Sequence, residues 1–595
     1  MLNIIHHFGG KTIKKSTGVA GGQSLMLGRD GSYLWIGKNP ASRYQGWFFE
    51  TGAGLIKIID NIHAAGTGDF LALENHFWQV KRIWQNNKEY FFAPASDCLA
   101  YEIEKPAKIS FFLDIKESYK NPDAGRHYSA REEDGMIIVS YRQDGDFLLS
   151  EIFLAAAGNF DTAKTGGEWM NQGYEMDKRR ASPPFERQVF CPARILASRL
   201  VFAVGGDKEK TMARVRWILD GFEAEKSRAR AEFLKNHPRF FWTGLPDKTE
   251  IAKEAAKNAL RMLILPKKDS LALRAGWPWF FQIWQRDEAV SLKGLSQSGK
   301  KTADEIFWRQ IRELKKNKYH FDTADGVGWL FSRAGEFLKK NHFDGEEKQE
   351  IADALERAIG WLLRNRTRGG LAINRGEKTW MDSLERSGAC LEIQAQRLAM
   401  YDLARRLADS SEKKEYYAQL KEGLEIIVRK AFFDGQNLAD RFDLGKNLPD
   451  FTCRPNLFLA AYIYPNLLSK SEWRVVFENA LKKLWLDWGG LATIDKNDAR
   501  FCGQSTGEDA RSYHNGDSWF WINNLAAIAM RQIGGGYFNH YIEKIFIASR
   551  HDILWRGAMG CASEISSAQT FDPAGCPNQA WSAATFMELC QELKK

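Results

Sequence analysis

Five carboxylates stand in loops that are rich in tryptophan and glycine: Asp287, Asp325, Asp382, Glu392 and Glu564. Hydrolysis of a glycosidic bond uses two carboxyl groups, of which one protonates the leaving oxygen and the other activates water or attacks the sugar. Aromatic surroundings raise the pKa of a carboxyl group, which suits it to the acid role. These loops therefore favour a glycoside hydrolase, although helix capping or pairing with arginine would also account for such residues.

Two of these carboxylates are the candidate catalytic pair. Asp382 follows Trp380 and Met381, and these apolar neighbours make it the candidate general acid. Glu564 lies in the small-residue segment 560–565, which we expect to be open to water and substrate. It is therefore the candidate general base.

The segment 277–287 combines dense aromatic residues with a charged pair, Arg286 and Asp287, at its end. Aromatic faces cover the apolar faces of sugar rings, and an arginine beside a carboxylate can bind vicinal hydroxyls through charge-assisted hydrogen bonds. We therefore expect this segment to bind a polar, ring-shaped ligand such as a sugar, with the aromatic residues as a floor and Arg286 and Asp287 as a clamp.

The composition argues against several other classes of protein. The net charge of +9 is spread thinly among acidic residues, so we expect no nucleic-acid partner. Histidines are few, and the eight cysteines form no CxxC pair, so we predict no metal site and no cofactor. No basic start followed by a long apolar core occurs at the N-terminus, and no apolar run reaches membrane-spanning length. We expect a cytoplasmic protein with no membrane partner, and the oligomeric state stays open.

Strand patterns occupy the first part of the chain. Short runs of β-branched and aromatic residues, bounded by turn residues, predict strands at 32–37, 55–59, 109–114 and 136–141. Repeated short strands with turn signals predict a β-sandwich domain over residues 1–221.

Helical patterns occupy the rest of the chain. A charged stretch predicts a linker helix over residues 222–247, and about twelve helices are predicted between Glu250 and Leu593. Loops with chemically active residues separate these helices, and no fixed repeat period occurs. We therefore expect residues 248–595 to form a toroid of helix pairs, with the loops gathered at one end.

Short motifs across most of the chain give it a family resemblance. The chain resembles the amylo-α-1,6-glucosidase part of glycogen debranching enzymes in their prokaryotic form, and it is more distantly similar to glucoamylases and trehalases of the six-hairpin clan. The motifs occur in the family's order, at residues 42–46, 284–287, 323–329, 379–382, 391–393, 454–456, 513–516 and 563–565 followed by 575–582. The Thr-Trp-Met-Asp motif at 379–382 is unchanged, whereas Gln285, Asn515 and the short segment 383–388 depart from the family's pattern.

The resemblance implies an N-terminal β-sandwich followed by an (α/α)6 barrel. It implies an inverting, exo-acting glucosidase of α-glucans or α-gluco-oligosaccharides, with α-1,6 branch points as the preferred linkage. In that family Asp382 corresponds to the general acid, Glu564 corresponds to the base, and Arg286 and Asp287 bind the terminal glucose. The resemblance also implies substrate contacts from Trp284, Asp325, Trp329, Trp380, Glu392, Arg454, His514 and Trp581.

Three alternatives stay open at this stage. The first is a glucoamylase-like or trehalase-like hydrolase of the same clan. The second is a glycan-binding protein that has the cleft without turnover, although the presence of both candidate carboxylates argues against it. The third is an epimerase, which would need a pair of histidines as acid and base, and only His514 lies in a suitable loop.

Overall fold

The computed structural model describes residues 2–8, 10–17, 24–52, 54–146, 151–160, 164–236, 247–340 and 342–595. The chain divides into two compact units. The first unit comprises Met1–Pro266, Gly276–Phe281 and Asp552–Ala562. The second comprises Lys267–Ala275, Gln282–His551 and Ser563–Lys595. The first unit therefore extends beyond residue 221 and includes two short segments from later in the chain.

The first unit is rich in strands. They are β1 (Leu2–Phe8), β2 (Lys11–Thr17), β3 (Ser24–Arg29), β4 (Ser32–Gly37), β5 (Gly46–Thr51), β6 (Gly54–Ala64), β7 (Phe70–Asn75), β8 (Val80–Trp84), β9 (Lys88–Ala95), β10 (Cys98–Glu117), β11 (Arg126–Glu133), β12 (Met136–Gln143), β13 (Ile152–Gly158), β14 (Lys164–Gly173) and β15 (Glu186–Gly205). All four predicted strands are confirmed, and they lie in β4, β6, β10 and β12.

These strands form one hydrogen-bonded sheet that branches. Its main path runs β2-β1-β7-β8-β9-β10-β6-β5-β4-β3, and a short strand at Ala558–Met559 pairs with β3. The long strand β10 also pairs with β15, which leads through β13 to β12 and β11 and separately to β14. Nearly all of these pairs are antiparallel, whereas β1 and β7 run parallel. The predicted β-rich N-terminal region is therefore confirmed.

Four helices belong to the first unit: α1 (Glu175–Arg179), α2 (Lys208–Asp220), α3 (Phe222–Asn236) and α4 (Asp247–Met262). The apolar face of α2, with Met212, Val215 and Ile218, packs against Ala155 and Val201 in a buried cluster. The predicted linker helix over 222–247 begins with α3, and residues 237–246 of that prediction lie outside the described residues.

The second unit is mainly helical. Its helices are α5 (Gln285–Ser298), α6 (Lys300–Lys316), α7 (Gly326–Leu338), α8 (Gly345–Asn365), α9 (Leu391–Leu407), α10 (Ser411–Phe432), α11 (Asn456–Ile463), α12 (Lys470–Leu484), α13 (Phe520–Gly534), α14 (Asn539–Trp555, which ends in the first unit) and α15 (Ala580–Glu592). The predicted helical C-terminal part is confirmed. Among the described helices, none is long and apolar enough to cross a membrane.

Six of these helices follow one another in a closed ring of contacts. Helix α5 contacts α7, α7 contacts α9, α9 contacts α11, α11 contacts α13, α13 contacts α15, and α15 contacts α5. Helices α6, α8, α10 and α12 each contact a helix of this ring. The ring helices α9, α13 and α15 are buried over most of their length, because apolar or small residues cover most of their faces.

A buried ionic cluster joins four helices of the ring. Arg333 of α7 donates to Glu588 of α15 (2.8 Å) and to the hydroxyl of Tyr462 on α11 (2.6 Å). That hydroxyl donates to the second oxygen of Glu588 (2.7 Å), and Lys293 of α5 lies 3.4 Å from the same oxygen. Because these charges are buried and mutually compensated, the cluster fixes the register of the helices relative to one another.

Candidate active site

Asp382 lies in the loop between α8 and α9. Its side chain is 45% exposed, and one carboxylate oxygen lies 3.5 Å from Nη2 of Arg286. The pKa of Asp382 is raised because the crowded surroundings of its carboxyl group disfavour the charged form, while the positive charge of Arg286 opposes this shift. The structure thus places an accessible carboxyl group with increased proton affinity at this position, as a general acid requires.

Hydrogen bonds from Arg386 hold the loop that carries Asp382. Its guanidinium donates to both oxygens of Glu392 (2.7 and 3.1 Å), to both oxygens of Asp440 (2.8 and 3.0 Å) and to the hydroxyl of Thr379 (3.0 Å). Bidentate pairs of this kind fix geometry as well as charge. Both carboxylate oxygens of Glu392 accept hydrogen bonds from Arg386, so Glu392 helps to position the loop that carries Asp382. Its predicted contact with substrate stays a prediction.

The Trp380 side chain is a second support of the same loop. Its indole N–H donates to the Oδ1 atom of Asn456 (2.7 Å), whose amide donates to Asp440 (2.7 Å). The buried ring makes edge contacts with the rings of His514 and Trp521. The loop that carries Asp382 therefore has little freedom to move, as a catalytic group requires.

Glu564 is only 2% exposed, so the expectation that its segment is open to water is wrong for this side chain. One carboxylate oxygen accepts a hydrogen bond from the hydroxyl of Tyr513 (2.6 Å), and the other accepts one from the backbone N–H of Cys576 (2.8 Å). Burial raises the pKa of Glu564 to about 7, and these two hydrogen bonds oppose that shift. The negative charges of Asp382 and Asp287 raise it further. Near neutral pH a substantial fraction of Glu564 is therefore ionised and can act as a base.

Asp287, Asp325 and Arg286 form a buried polar group at the start of α5 and α7. Nε of Arg286 lies 3.5 Å from Asp287, and its Nη1 lies 3.9 Å from Asp325. Burial raises the pKa of Asp287 to about 7 and that of Asp325 to about 6, while Arg286 opposes both shifts. Both oxygens of Asp325 and one of Asp287 are buried without a hydrogen-bond partner among the described residues. Buried polar atoms of this kind are stabilised when water or a ligand supplies a hydrogen bond.

Arg454 fixes a neighbouring loop that contains His514. Its guanidinium donates to the backbone oxygens of Thr493 (3.0 Å) and His514 (2.6 Å) and to the Oδ1 atom of Asn515 (2.9 Å). His514 stacks on Trp519 with a ring-centroid distance of 5.0 Å. Burial, together with the nearby arginines, lowers the pKa of His514 well below its usual value, so its ring is neutral.

The predicted aromatic residues lie in different environments. Trp284 is 42% exposed at the start of α5 and offers an open ring face. Trp581 is buried, stacks on Trp521 at 4.7 Å and lies under the guanidinium of Arg286. Trp329 is almost fully buried and makes an edge contact with Trp521, so it supports the site from within the helices.

The segment 277–287 begins in the first unit and ends in the second. Trp277 is fully buried in the first unit, where its ring packs on that of Tyr33. Trp279 lies under the guanidinium of Arg180 in the same unit. The interpretation of 277–287 as one continuous floor is therefore wrong for Trp277, because its ring has no exposed face for a sugar.

Three residues of the site were not predicted from the sequence. Tyr513 is the hydrogen-bond donor to Glu564, and it is the first residue of the motif at 513–516. Asp440 accepts hydrogen bonds from Arg386, and Asn456 accepts one from Trp380, and both of these donors hold the loop that carries Asp382. Asn456 belongs to a recognised motif, whereas no local pattern marks Asp440.

Comparisons with known proteins bear on the family and on the fold. Residues 326–588 match the family model described as amylo-alpha-1,6-glucosidase, and this segment contains both Asp382 and Glu564. The chain is also similar to the structure of a bacterial glucoamylase complexed with acarbose, with a TM-score of 0.59 and 11% sequence identity. That similarity covers 94% of this chain and 90% of the glucoamylase chain, and at this identity it shows a common fold. The family resemblance of the sequence motifs is thereby confirmed, and over residues 326–588 the chain is similar to the amylo-alpha-1,6-glucosidase family.

Proposed function

We propose that this protein is an inverting, exo-acting α-glucosidase of α-glucans or α-gluco-oligosaccharides. The observation that carries the proposal is the pair of carboxylates in different surroundings. Asp382 is accessible and lies beside Arg286, whereas Glu564 is enclosed and accepts hydrogen bonds on both oxygens. Two carboxyl groups with distinct environments are what acid and base roles at one glycosidic bond require.

In the proposed reaction Asp382 donates its proton to the glycosidic oxygen as the bond to the anomeric carbon breaks. Glu564 accepts a proton from a water molecule, whose oxygen attacks the anomeric carbon from the opposite face. The products are β-glucose and a shortened glucan, and the proton returns from Glu564 to Asp382 through solvent. An inverting pair is expected to lie about 6.5–9.5 Å apart, which leaves space for the water.

The terminal glucose would bind at Arg286, Asp287 and Asp325. Sugar hydroxyls can donate to the unpartnered oxygens of Asp287 and Asp325 and accept from Arg286. The buried position of these groups supports binding of a chain end, which is the basis for exo action. Trp284 would contribute an apolar contact at the open side of the site.

We propose the finer architecture together with the function. The closed ring of α5, α7, α9, α11, α13 and α15 supports an (α/α)6 barrel over residues 248–595. The branched sheet supports a β-sandwich over residues 1–221, followed by a linker over 222–247.

The preference for α-1,6 linkages rests on the match to the family model over 326–588. A glucoamylase-like or trehalase-like specificity is the second candidate, favoured by the common fold with the bacterial glucoamylase. Initial rates on maltose, isomaltose, trehalose and a branched dextrin distinguish these possibilities. Exclusive hydrolysis of trehalose, or faster release from linear α-1,4 chains than from branch points, would contradict the α-1,6 proposal.

The test of the reaction is to follow the released glucose by proton NMR. We expect β-glucose to appear first and to mutarotate later, whereas early α-glucose would contradict inversion. The variants Asp382→Asn and Glu564→Gln should each lose most of the hydrolytic activity. Both variants should still fold and bind glucan. The control is Asp353→Asn, which alters an exposed carboxylate on α8 and should leave turnover unchanged. Calorimetric binding of glucan by the wild-type protein without any released glucose would support a silent binding protein instead.

A further inference from the structure

Two histidines and a glutamate of the first unit come together on one face of the sheet. They are His7 on β1, Glu74 on β7 and His76 just after β7. One ligand atom from each lies within 4.8 Å of the other two. Sequence spacing gave no sign of this group, because its members come from two strands that are far apart along the chain.

The strand register explains why these three side chains meet. Strands β1 and β7 are parallel neighbours, and Ile5 is opposite Glu74. Side chains two residues apart on a strand point to the same face. His7 therefore lies on the face of Ile5 and Glu74, and His76 continues that face beyond the end of β7.

Two of the distances are close to those around a tetrahedral metal ion, although the imidazole rings of His7 and His76 are stacked at a centroid distance of 4.3 Å. One ring must therefore rotate about its side-chain torsions for both Nε2 atoms to reach the same ion. The Nε2 atoms of His7 and His76 lie 3.5 and 3.2 Å from the same oxygen of Glu74. Ligand atoms about 2.0–2.1 Å from a tetrahedral Zn²⁺ ion are about 3.3 Å from each other. His7 also contacts the hydroxyl of Thr12 through Nδ1 (3.0 Å), the kind of outer contact that orients a metal-binding histidine.

An ion could reach these side chains from solvent. His7 and His76 line a cavity of about 1140 Å³ in the first unit. Lys81, from the neighbouring strand β8, also lines this cavity, and its Nζ lies 3.5 Å from the oxygen of Glu74 that faces the histidines. The ammonium group of Lys81 would therefore compete with a bound metal ion for the carboxylate of Glu74.

We propose that His7, Glu74 and His76 bind a divalent transition-metal ion, for which Zn²⁺ fits best. Two imidazoles and one carboxylate are a common ligand set for Zn²⁺, and they leave further coordination positions free on the cavity side. Because the ligands come from β1, from β7 and from the residue just after β7, the ion would link two neighbouring parallel strands. The proposal concerns the first unit and does not depend on the glucosidase activity.

The test is a Zn²⁺ titration of the full chain without an affinity tag, after treatment with a chelator. We expect one ion per chain by calorimetry, and we expect His7→Ala and His76→Ala each to weaken binding by about tenfold or more. Lys81→Gln should strengthen binding, because it removes the competing cation. His63→Ala, which removes an exposed histidine of the same unit, is the matched control and should bind like the wild type.

Two further measurements test the ligand set independently of the histidine variants. If a histidine variant loses its fold, Glu74→Gln removes a ligand with nearly the same shape and should also weaken binding. Titration with Co²⁺ should give the absorption of a site with nitrogen and oxygen ligands, whereas a thiolate charge-transfer band would place the ion on cysteines instead. Failure of the wild type to bind Zn²⁺, or equal binding by the wild type and the double variant His7→Ala/His76→Ala, would overturn the proposal.

Discussion

Removal of the Tyr513 hydroxyl should change the pH dependence of catalysis in a defined direction. This hydroxyl donates to Glu564 over 2.6 Å, and the backbone N–H of Cys576 donates to the other carboxylate oxygen. Burial raises the pKa of Glu564 to about 7 against the opposing effect of both hydrogen bonds. Tyr513→Phe deletes one of the two donors and keeps the ring, so the ionised carboxylate loses stabilisation and the pKa of Glu564 rises.

The magnitude follows from the strength of the lost interaction. A hydrogen bond to a charged group contributes about 1.5–3 kcal/mol, and each pKa unit corresponds to about 1.4 kcal/mol. The pKa of Glu564 should therefore rise by about one to two units. The base must be ionised, so below pH 7 the variant should have about 10- to 100-fold lower kcat/KM than the wild type. Above the raised pKa, Glu564 is ionised in both proteins, and this difference should disappear.

The assay is the ratio of wild-type to variant kcat/KM across the pH range in which both proteins stay folded. The ratio emphasises Glu564, because Asp382 and its electrostatic coupling to Glu564 are present in both proteins. Tyr537→Phe is the control, since it removes a tyrosine–glutamate hydrogen bond from the exposed surface. A loss of activity that is constant with pH would refute the proposed interaction and indicate a structural role for Tyr513.

Two other substitutions distinguish residues that bind the substrate from residues that stabilise the fold. Asp287→Ala should lower kcat/KM by about 10- to 100-fold, because the terminal sugar loses a partner beside Arg286, and unaltered kinetics would contradict that role. Glu588→Gln should lower the free energy of unfolding in urea by about 3–5 kcal/mol, since Arg333 and Lys293 lose their buried counter-charge, while KM stays near the wild-type value. A change in KM with unaltered unfolding would contradict the structural role of Glu588.

Local pattern was sufficient to predict several elements of this chain. The buried face of α12 is formed by Trp473, Val476, Phe477, Ala480, Leu481 and Leu484, which are the positions that the helical period marks. The predicted strand at 32–37 coincides with β4, because turn residues bound a short apolar run. Both predictions concern neighbours in sequence, for which periodicity is a direct consequence of backbone geometry.

Contacts between distant segments were less predictable. Asp440 binds Arg386 across 54 residues, and no motif marks it. The aromatic run from Trp277 to Asp287 looks like one unit in sequence, yet Trp277 is buried in the core of the first unit. A large aromatic residue in the sequence can either stack on a sugar or pack in the core. The sequence does not distinguish these roles, since both use the same apolar ring face.

The position of the site at the beginnings of the ring helices has an electrostatic consequence. Asp325, Glu392 and Asn456 lie at the starts of α7, α9 and α11, while Asp287 and Trp581 lie in the first turns of α5 and α15. Each helix N-terminus carries a partial positive charge that stabilises a nearby carboxylate by about 0.3–1 kcal/mol. These termini therefore partly offset the burial of the carboxylates.

The same termini would oppose a positive charge in the substrate. The transition state of glycoside hydrolysis resembles an oxocarbenium ion, so the positive charge develops at the anomeric carbon. In the proposed reaction, the carboxylates at the helix starts would counter the positive potential of these termini next to this charge. Loss of Asp287 or Asp325 would leave the helix termini unopposed next to the developing cation. Substitution of either residue should therefore reduce kcat more than it raises KM, because the penalty grows with the charge that forms in the transition state.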